Sequence, residues 1–223
     1  MVLDFFKTTL TYLIFPPICP VCREIIDEYD ELCENCAEKI LRCDFSPEVH
    51  PPIEKVMRLT KYRNGTRQLL RSLKFDSKLT ALKPIKKILE KMSTEVNVIN
   101  FLKNVDVGVF VPLHKDRLKK RGYNQTELIF RDWLTSMNVP PKDILLRTKK
   151  TPHLFNLTPA ERREMLKDAF ETVEGADIAG KNILIVDDIF TTGATVTECA
   201  KALKKIDAAQ IYVLAFASDF GED

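Results

Sequence analysis

The chain has 223 residues, of which 45% are hydrophobic and 30% are charged, as expected for a globular protein. Its length suits one ordinary domain with a small appendage. No apolar run reaches the roughly 18 residues of a membrane-spanning helix, and no internal repeat or low-complexity tract is present.

The formal net charge of +2 conceals an uneven distribution. Residues 55–150 contain 23 basic and 8 acidic residues, whereas residues 1–54 contain 4 and 11 and residues 151–223 contain 7 and 13. A basic middle block between acidic ends indicates an anionic partner that binds locally.

The first 17 residues are largely apolar but are interrupted by Asp4 and Lys7. They lack the basic start and the small-residue cleavage site of a signal peptide. We expect a short amphipathic helix docked on the body of a cytoplasmic protein. Membrane contact through this segment is the less favoured alternative.

Four cysteines follow in the pattern C-x2-C-x10-C-x2-C. Two such knuckles can present four thiolates to a structural Zn²⁺ ion, and a complete shell of four thiolates leaves no position for a substrate. Disulfides are the alternative, but they need an oxidising compartment. The predicted zinc ligands are Cys19, Cys22, Cys33 and Cys36. The surroundings are acidic, which disfavours a nucleic-acid role for this finger.

The next segment combines an apolar helical face with a basic stripe. After a predicted turn at Asn64-Gly65, Leu69, Leu70 and Leu73 recur at helical spacing. The stripe is either a solvated face or a contact for single-stranded nucleic acid. Its candidate residues are Arg63, Arg67, Arg71 and Lys74.

A strand is predicted near residues 105–111, followed by a basic polar loop and a helix from about Gln125 to Met137. We predict that Lys115, Arg117 and Arg121 of this loop attract phosphate or pyrophosphate. Lys119 and Lys120 are further nucleic-acid candidates. His114 is either a proton donor or, more often for a lone loop histidine, a hydrogen-bonding residue.

Between Pro152 and Pro159 lies a segment that could cover a ligand. Behind it, Thr158 and Glu161 have the spacing of a helix capping box.

The stretch "ILIVDDIFTTGAT" begins at Ile183 with an apolar run typical of a strand buried on both faces. The strand is predicted to end at Asp187, and a helix to begin at Thr195. Ligands in open α/β sheets bind at the carboxyl ends of strands, and a helix N-terminus favours phosphate. We assign Asp187 and Asp188 as catalytic residues that orient ribose hydroxyls and help to hold Mg²⁺. The predicted 5′-phosphate turn comprises Thr191, Thr192, Gly193, Ala194 and Thr195.

The predicted fold class is α/β, a parallel sheet with helices on both faces and strands near 105–111, 182–187 and 211–217. Cys199 falls on the apolar face of the helix after the phosphate turn, so it is expected to be buried. Cys43 receives no role.

The stretch also resembles the phosphoribosyl-pyrophosphate (PRPP) motif of type I phosphoribosyltransferases. Together with "FPPICPVC", "LCENC", "LLRSLKF", "VPLHKDRLKKRGYNQTEL" and "RTKKTPHLFNLTPAERREMLKDAF", it resembles the ComF/ComFC family of competence proteins. The segment "PHLFNL" departs from the family, which commonly has Gln there, and Met165 stands where Asn is frequent.

The resemblance implies an N-terminal helix and zinc finger in residues 1–50 and a phosphoribosyltransferase-like domain in residues 51–223. It also implies a cytoplasmic role in natural transformation, with incoming single-stranded DNA and competence-machinery proteins as partners. Three functions stay open: DNA handling with a ribose-phosphate site, an active Mg²⁺-dependent phosphoribosyltransferase with an unidentified nitrogen nucleophile, and a PRPP-binding regulator without turnover.

Overall fold

The structure is a computed structural model, and it describes residues 12–29, 31–47, 49–75, 79–151 and 157–218. The predicted N-terminal helix lies largely in residues 1–11, outside these ranges. Most of the predicted covering segment, residues 152–156, also lies outside them. Within the described ranges, none of the helices has the length and hydrophobicity that a bilayer span requires.

The elements confirm an α/β chain. The strands are β1 (Leu41–Phe45), β2 (Lys55–Lys61), β3 (Val107–Phe110), β4 (Pro141–Lys142), β5 (Leu145–Arg147), β6 (Phe170–Thr172), β7 (Ile183–Phe190) and β8 (Ile211–Ser218). The helices are α1 (Glu34–Ile40), α2 (Asn64–Phe75), α3 (Leu82–Met92), α4 (Val96–Leu102), α5 (Lys115–Arg121), α6 (Gln125–Ser136), α7 (Pro159–Leu166) and α8 (Ala194–Lys204). A short 3₁₀ turn, Leu79–Ala81, precedes α3.

The main sheet has the strand order β1-β2-β8-β7-β3-β4. All neighbouring pairs are parallel except β1 with β2, so the predicted parallel sheet carries one antiparallel edge strand. Strand β1 lies before residue 50, where we expected the domain boundary, yet it belongs to this sheet; the boundary itself stays a prediction. Strands β5 and β6 form a separate antiparallel ribbon.

Helices cover both faces of the sheet, as predicted. In β7, Leu184 and Val186 pack into the core beneath α2, α3, α4 and α6, while Ile183 and Ile185 pack into the core beneath α8. All four side chains are buried, which explains why the strand reads as a continuous apolar run rather than an alternating one. Cys199 lies fully buried on the α8 side, as expected.

Three local predictions were wrong. Residues 115–121 form helix α5 and not a loop, because His114 caps its start and Gly122 ends it in the left-handed conformation with φ 85°. Asn64 and Gly65 open helix α2 and do not form a separate turn. Strand β7 continues beyond Asp187 to Phe190, because β8 pairs with it as far as Ser218.

Candidate functional site

The phosphate turn lies where β7 ends and α8 begins. Gly193 adopts φ 72°, and a Cβ atom there would lie 3.2 Å from the Cζ atom of Phe190, so both the backbone conformation and the space favour glycine. No side chain caps the N-terminus of α8, so the N–H groups of its first turn remain available to an anion. A hollow of about 20 Å³ lies within this turn, next to Asp187.

A larger cavity of about 640 Å³ adjoins the turn and has the volume of an ordinary small-molecule site. Its ionic lining consists of five basic side chains and two carboxylates. The basic residues are Lys74, Arg117, Arg121, Arg147 and Arg162, and the acidic residues are Asp187 and Asp188. Three threonine hydroxyls, from Thr191, Thr192 and Thr195, complete the side of the cavity nearest α8. Such a lining suits a ligand that carries several negative charges and hydroxyl groups.

The two carboxylates are held differently. Asp188 is buried, lies 2.6 Å from the Nζ atom of Lys74, and accepts a hydrogen bond from Nε2 of Gln125 at 3.4 Å. Asp187 is half-buried and accepts the backbone N–H of Asp188 at 2.8 Å. Burial and the neighbouring charge of Asp188 raise the pKa of Asp187 well above 3.8, while Lys74 opposes the shift. Because Asp188 is already paired with Lys74 and Gln125, Asp187 is the carboxyl group with spare hydrogen-bonding capacity toward the cavity.

Two arginines of the cavity lining converge on Thr151. Arg117 donates from Nη2 to the Thr151 carbonyl oxygen at 2.8 Å, and Arg147 donates from Nη2 to its hydroxyl at 2.6 Å. Burial lowers the pKa of Arg147, and the nearby charge of Arg117 lowers it further. The Nε atom of Arg147 is buried without a hydrogen-bond partner in the described residues. An anion between these guanidinium groups would relieve their repulsion and satisfy a buried donor.

The structure brings most of the predicted ligand residues together. Arg117, Arg121, both aspartates and the threonines of the turn all line the cavity. The side chains of Lys115, Lys119 and Lys120 are exposed on α5 and are not part of the cavity lining. That any of the predicted ligand residues binds a ligand stays a prediction.

The basic stripe of α2 divides into two parts. Arg63, Arg67 and Arg71 are exposed, whereas Lys74 turns into the cavity and pairs with Asp188. His114 is buried, and its Nδ1 atom accepts the backbone N–H of Asp116 at 3.2 Å. This is a helix-capping role, in keeping with the structural alternative for that histidine.

Five polar or charged cavity residues were not assigned to the site from the sequence: Tyr62, Gln125, Thr126, Arg147 and Arg162. Arg147 ends β5, so its place at a strand terminus was a usable signal. Gln125 follows the cap residue of α6, and it accepts a hydrogen bond from Arg121. Arg162 reaches Thr191 with an Nη1–Oγ1 distance of 3.3 Å, a contact that no local pattern indicates.

The four predicted zinc ligands form one cluster. Their sulfur atoms all lie within 4.8 Å of one another, and those of Cys22 and Cys33 are 3.5 Å apart. A tetrahedral zinc ion with bonds of about 2.3 Å places its sulfurs about 3.8 Å apart, whereas a disulfide bond is about 2.05 Å long. The cysteines are free thiols, so the cluster could hold a metal ion.

Local hydrogen bonds shape both knuckles. The backbone N–H of Cys19 donates to the carbonyl of Glu24 at 2.8 Å, which closes the first knuckle. Cys33 is the N-cap of α1, and its sulfur accepts the N–H of Cys36 at 3.4 Å. The first knuckle packs on α2, because a Cβ atom at Gly65 would lie 2.0 Å from Cγ2 of Val21.

Comparisons with known proteins agree with this architecture. Residues 156–219 match the family model described as "Phosphoribosyl transferase domain". Competence protein F of Haemophilus influenzae is 26% identical over 203 residues, covering 90% of this chain and 84% of that protein. DNA utilization protein YhgH of Escherichia coli (strain K12) is 28% identical over 203 residues, covering 88% of each.

Solved phosphoribosyltransferases are similar over part of the chain. A hypoxanthine phosphoribosyltransferase from Staphylococcus aureus is 10% identical with a TM-score of 0.41, covering 64% of this chain and 70% of that one. An adenine phosphoribosyltransferase is 18% identical with a TM-score of 0.38, covering 58% and 70%.

Competence protein F carries the name that the sequence motifs led us to expect, and the domain match includes the phosphate turn. The chain is thus a homologue of Competence protein F and YhgH with a phosphoribosyltransferase domain, and its resemblance to the ComF family is confirmed.

Proposed function

We propose that this protein binds PRPP or a related 5-phosphoribosyl ligand and handles incoming single-stranded DNA during natural transformation. The observation that carries the proposal is the cavity at the end of β7, where an uncapped helix N-terminus, two carboxylates and five basic side chains face one space. The names of its full-length relatives, which refer to competence and DNA utilization, support the biological role. That role places the protein in the cytoplasm beside the competence machinery.

In this proposal the 5′-phosphate binds in the turn from Thr191 to Thr195, because backbone N–H groups and hydroxyls donate to it there. The ribose hydroxyls donate to Asp187, the more accessible carboxylate. Arg117 and Arg147 bind the pyrophosphate end, where a bidentate guanidinium contact is strongest.

The donor set also fits Mg²⁺ carried in by a phosphorylated ligand. Asp187 can accept the ion directly or through water, whereas Asp188 is already paired with Lys74. When bound, Mg²⁺ neutralises pyrophosphate charge. The metal in the cysteine cluster is proposed to be structural Zn²⁺, because four thiolates complete its shell.

Single-stranded DNA would contact the exposed basic residues outside the cavity. The candidates are Arg63, Arg67 and Arg71 of α2, and Lys119 and Lys120 of α5. Each phosphate contact releases counterions, so we expect affinity to fall steeply with salt.

The test is fluorescence anisotropy of a labelled single-stranded oligonucleotide at several salt concentrations, with and without PRPP and Mg²⁺. Binding that weakens with salt supports DNA handling, and competition by PRPP supports a strand that passes over the turn. Calorimetric titration with PRPP and Mg²⁺ tests the site separately. The double variant Asp187→Asn with Asp188→Asn should lose PRPP binding and keep its zinc content. Asp177→Asn, which changes an exposed carboxylate paired with Lys181, is the control.

An active phosphoribosyltransferase is the second candidate, favoured by the adjacent pair Asp187 and Asp188. Their negative charge would stabilise the positive charge that develops at the anomeric carbon as pyrophosphate leaves. Release of pyrophosphate in the presence of a nitrogen nucleophile would support this activity. Tight PRPP binding with neither pyrophosphate release nor DNA binding would instead support a regulator without turnover.

A further inference from the structure

A second groove of about 560 Å³ lies between α7 and α8, on the outer side of the phosphate turn. Residues of α7 form one wall, residues of α8 form the other, and His50 lies beside the turn. The charged and hydroxyl side chains of its two walls are Arg163, Glu164, Lys167, Thr197, Glu198 and Lys201. Neither the phosphoribosyl ligand nor the exposed basic stripe accounts for this groove.

Two cations dominate its α7 wall. Arg163 and Lys167 are exposed, and their charged groups form no ion pair with the described part of the chain. Lys167 is the C-cap of α7 and lies four positions after Arg163, so the two recur on one side of the helical path at a spacing of about 6 Å. Two cations spaced in this way can contact successive anionic groups along a chain.

The acidic residues of the groove do not cancel this charge. Glu198 is largely buried, accepts the backbone N–H of Asp168 at 3.0 Å and lies 2.6 Å from the Nζ atom of Lys201. Its charge is therefore neutralised on α8 itself. Glu164 is exposed and offsets only one of the two cations of α7.

The groove is continuous with the candidate ribose-phosphate site. Thr192 and Ala194 line both spaces. The ring of His50 approaches the turn so closely that a Cβ atom at Gly193 would lie 3.7 Å from its Cδ2 atom. A phosphate in the turn would thus have Asp187 on its sugar side and this groove on its other side.

We propose that the groove is a second phosphate subsite, which receives the sugar–phosphate chain that continues from the 5′-phosphate held in the turn. Arg163 and Lys167 contact its phosphodiester groups, and the hydroxyl of Thr197 donates to them. This assignment rests on the proposed function. It specifies the DNA ligand as a strand that extends on the 5′ side of the bound nucleotide. PRPP, which ends at its 5′-phosphate, does not reach the groove.

The test is the double variant Arg163→Gln with Lys167→Gln. Its matched control is Lys87→Gln with Lys91→Gln, which removes two exposed charges at the same helical spacing from α3. Oligonucleotide affinity should fall about tenfold at low salt, and the slope of log affinity against log salt should shrink by about 1.4 for two lost contacts. PRPP affinity should stay within about twofold of wild type.

Equal oligonucleotide binding by the groove variant and the control variant would overturn the second subsite, even if wild-type protein binds both ligands. A parallel loss of PRPP affinity in the groove variant would also overturn it, because the groove would then belong to the first site. Failure of the proposed function has a different signature, since wild-type protein itself would then bind neither PRPP nor the oligonucleotide.

Discussion

The two adjacent carboxylates at the end of β7 should respond to the same substitution with opposite changes in stability. Asp187→Asn removes a charge that is half-buried and next to another carboxylate. The asparagine amide can donate to Asp188, and its oxygen can still accept the N–H that now lies 2.8 Å from Asp187. Asp188→Asn instead removes the counterion of Lys74.

The magnitudes follow from these contacts. Loss of one partner from a buried ion pair costs about 3–5 kcal/mol. The side chain of Lys74 keeps 19% exposure and Asp187 can replace its counterion, so we expect a cost of about 1–3 kcal/mol for Asp188→Asn. For Asp187→Asn we expect the free energy of unfolding to rise by about 0.5–2 kcal/mol, because the substitution removes the repulsion between the two carboxylates. In a chain of this size each kcal/mol shifts the unfolding midpoint by about 2–4 °C.

The pH dependence of the free energy of unfolding tests the direction of this effect independently. The folded-state pKa of Asp187 is raised above 3.8, so between these two values the folded protein retains a proton that the unfolded chain has lost. Wild-type stability therefore falls as pH rises through this window, and the advantage of Asp187→Asn grows until the pH exceeds the folded-state pKa.

Thermal and urea unfolding from pH 4.5 to pH 8.5 would measure both effects in wild type and the two single variants, with Asp177→Asn as the exposed control. If Asp187→Asn proved less stable than wild type at neutral pH, or its advantage failed to grow with pH, the electrostatic account of the pair would be refuted.

The remaining predictions concern the finger and the arginines. Gly65→Ala should cost about 1–3 kcal/mol, because the new methyl group overlaps Val21; an unchanged thermal midpoint would contradict the packing of the finger on α2. Metal removal by a chelator should weaken PRPP binding in calorimetry as well as lower stability, because the finger supports α2; full PRPP affinity in the metal-free protein would argue against that support. Arg147→Lys keeps the charge but loses the guanidinium fork, so PRPP affinity should fall about tenfold, whereas an equal affinity would show that charge alone suffices.

Much of the fold was predictable because its signals are local. The strands of the main sheet that are buried on both faces appear as apolar runs, and the spacing of the cysteines determines which thiols can meet. The capping box at the start of α7 is formed as expected, with Thr158 accepting the N–H of Glu161 at 3.3 Å. Helix α5 was missed because it has no buried residue, so its sequence lacks the apolar periodicity by which helices are recognised.

The site was predictable only in part, because its remaining residues meet through long-range packing. Lys74 belongs by sequence to a basic stripe, and nothing near it indicates that it alone turns inward to Asp188. Arg162 lies in a helix whose exposed neighbours are also charged, so its contact with Thr191 depends on how α7 packs against α8.

Helix α2 gives the cysteine cluster a role that requires no contact with nucleic acid. At its start, Gly65 packs against Val21 of the first knuckle, and at its end, Lys74 pairs with Asp188. Near that end the carbonyl of Leu73 also accepts the hydroxyl of Tyr123 at 2.6 Å, which ties α2 to the segment before α6. A helix of 12 residues is about 18 Å long and rigid on that scale. A metal ion held by the knuckle would therefore also restrain the position of Lys74, so an acidic finger could support the proposed anion site without contacting the ligand.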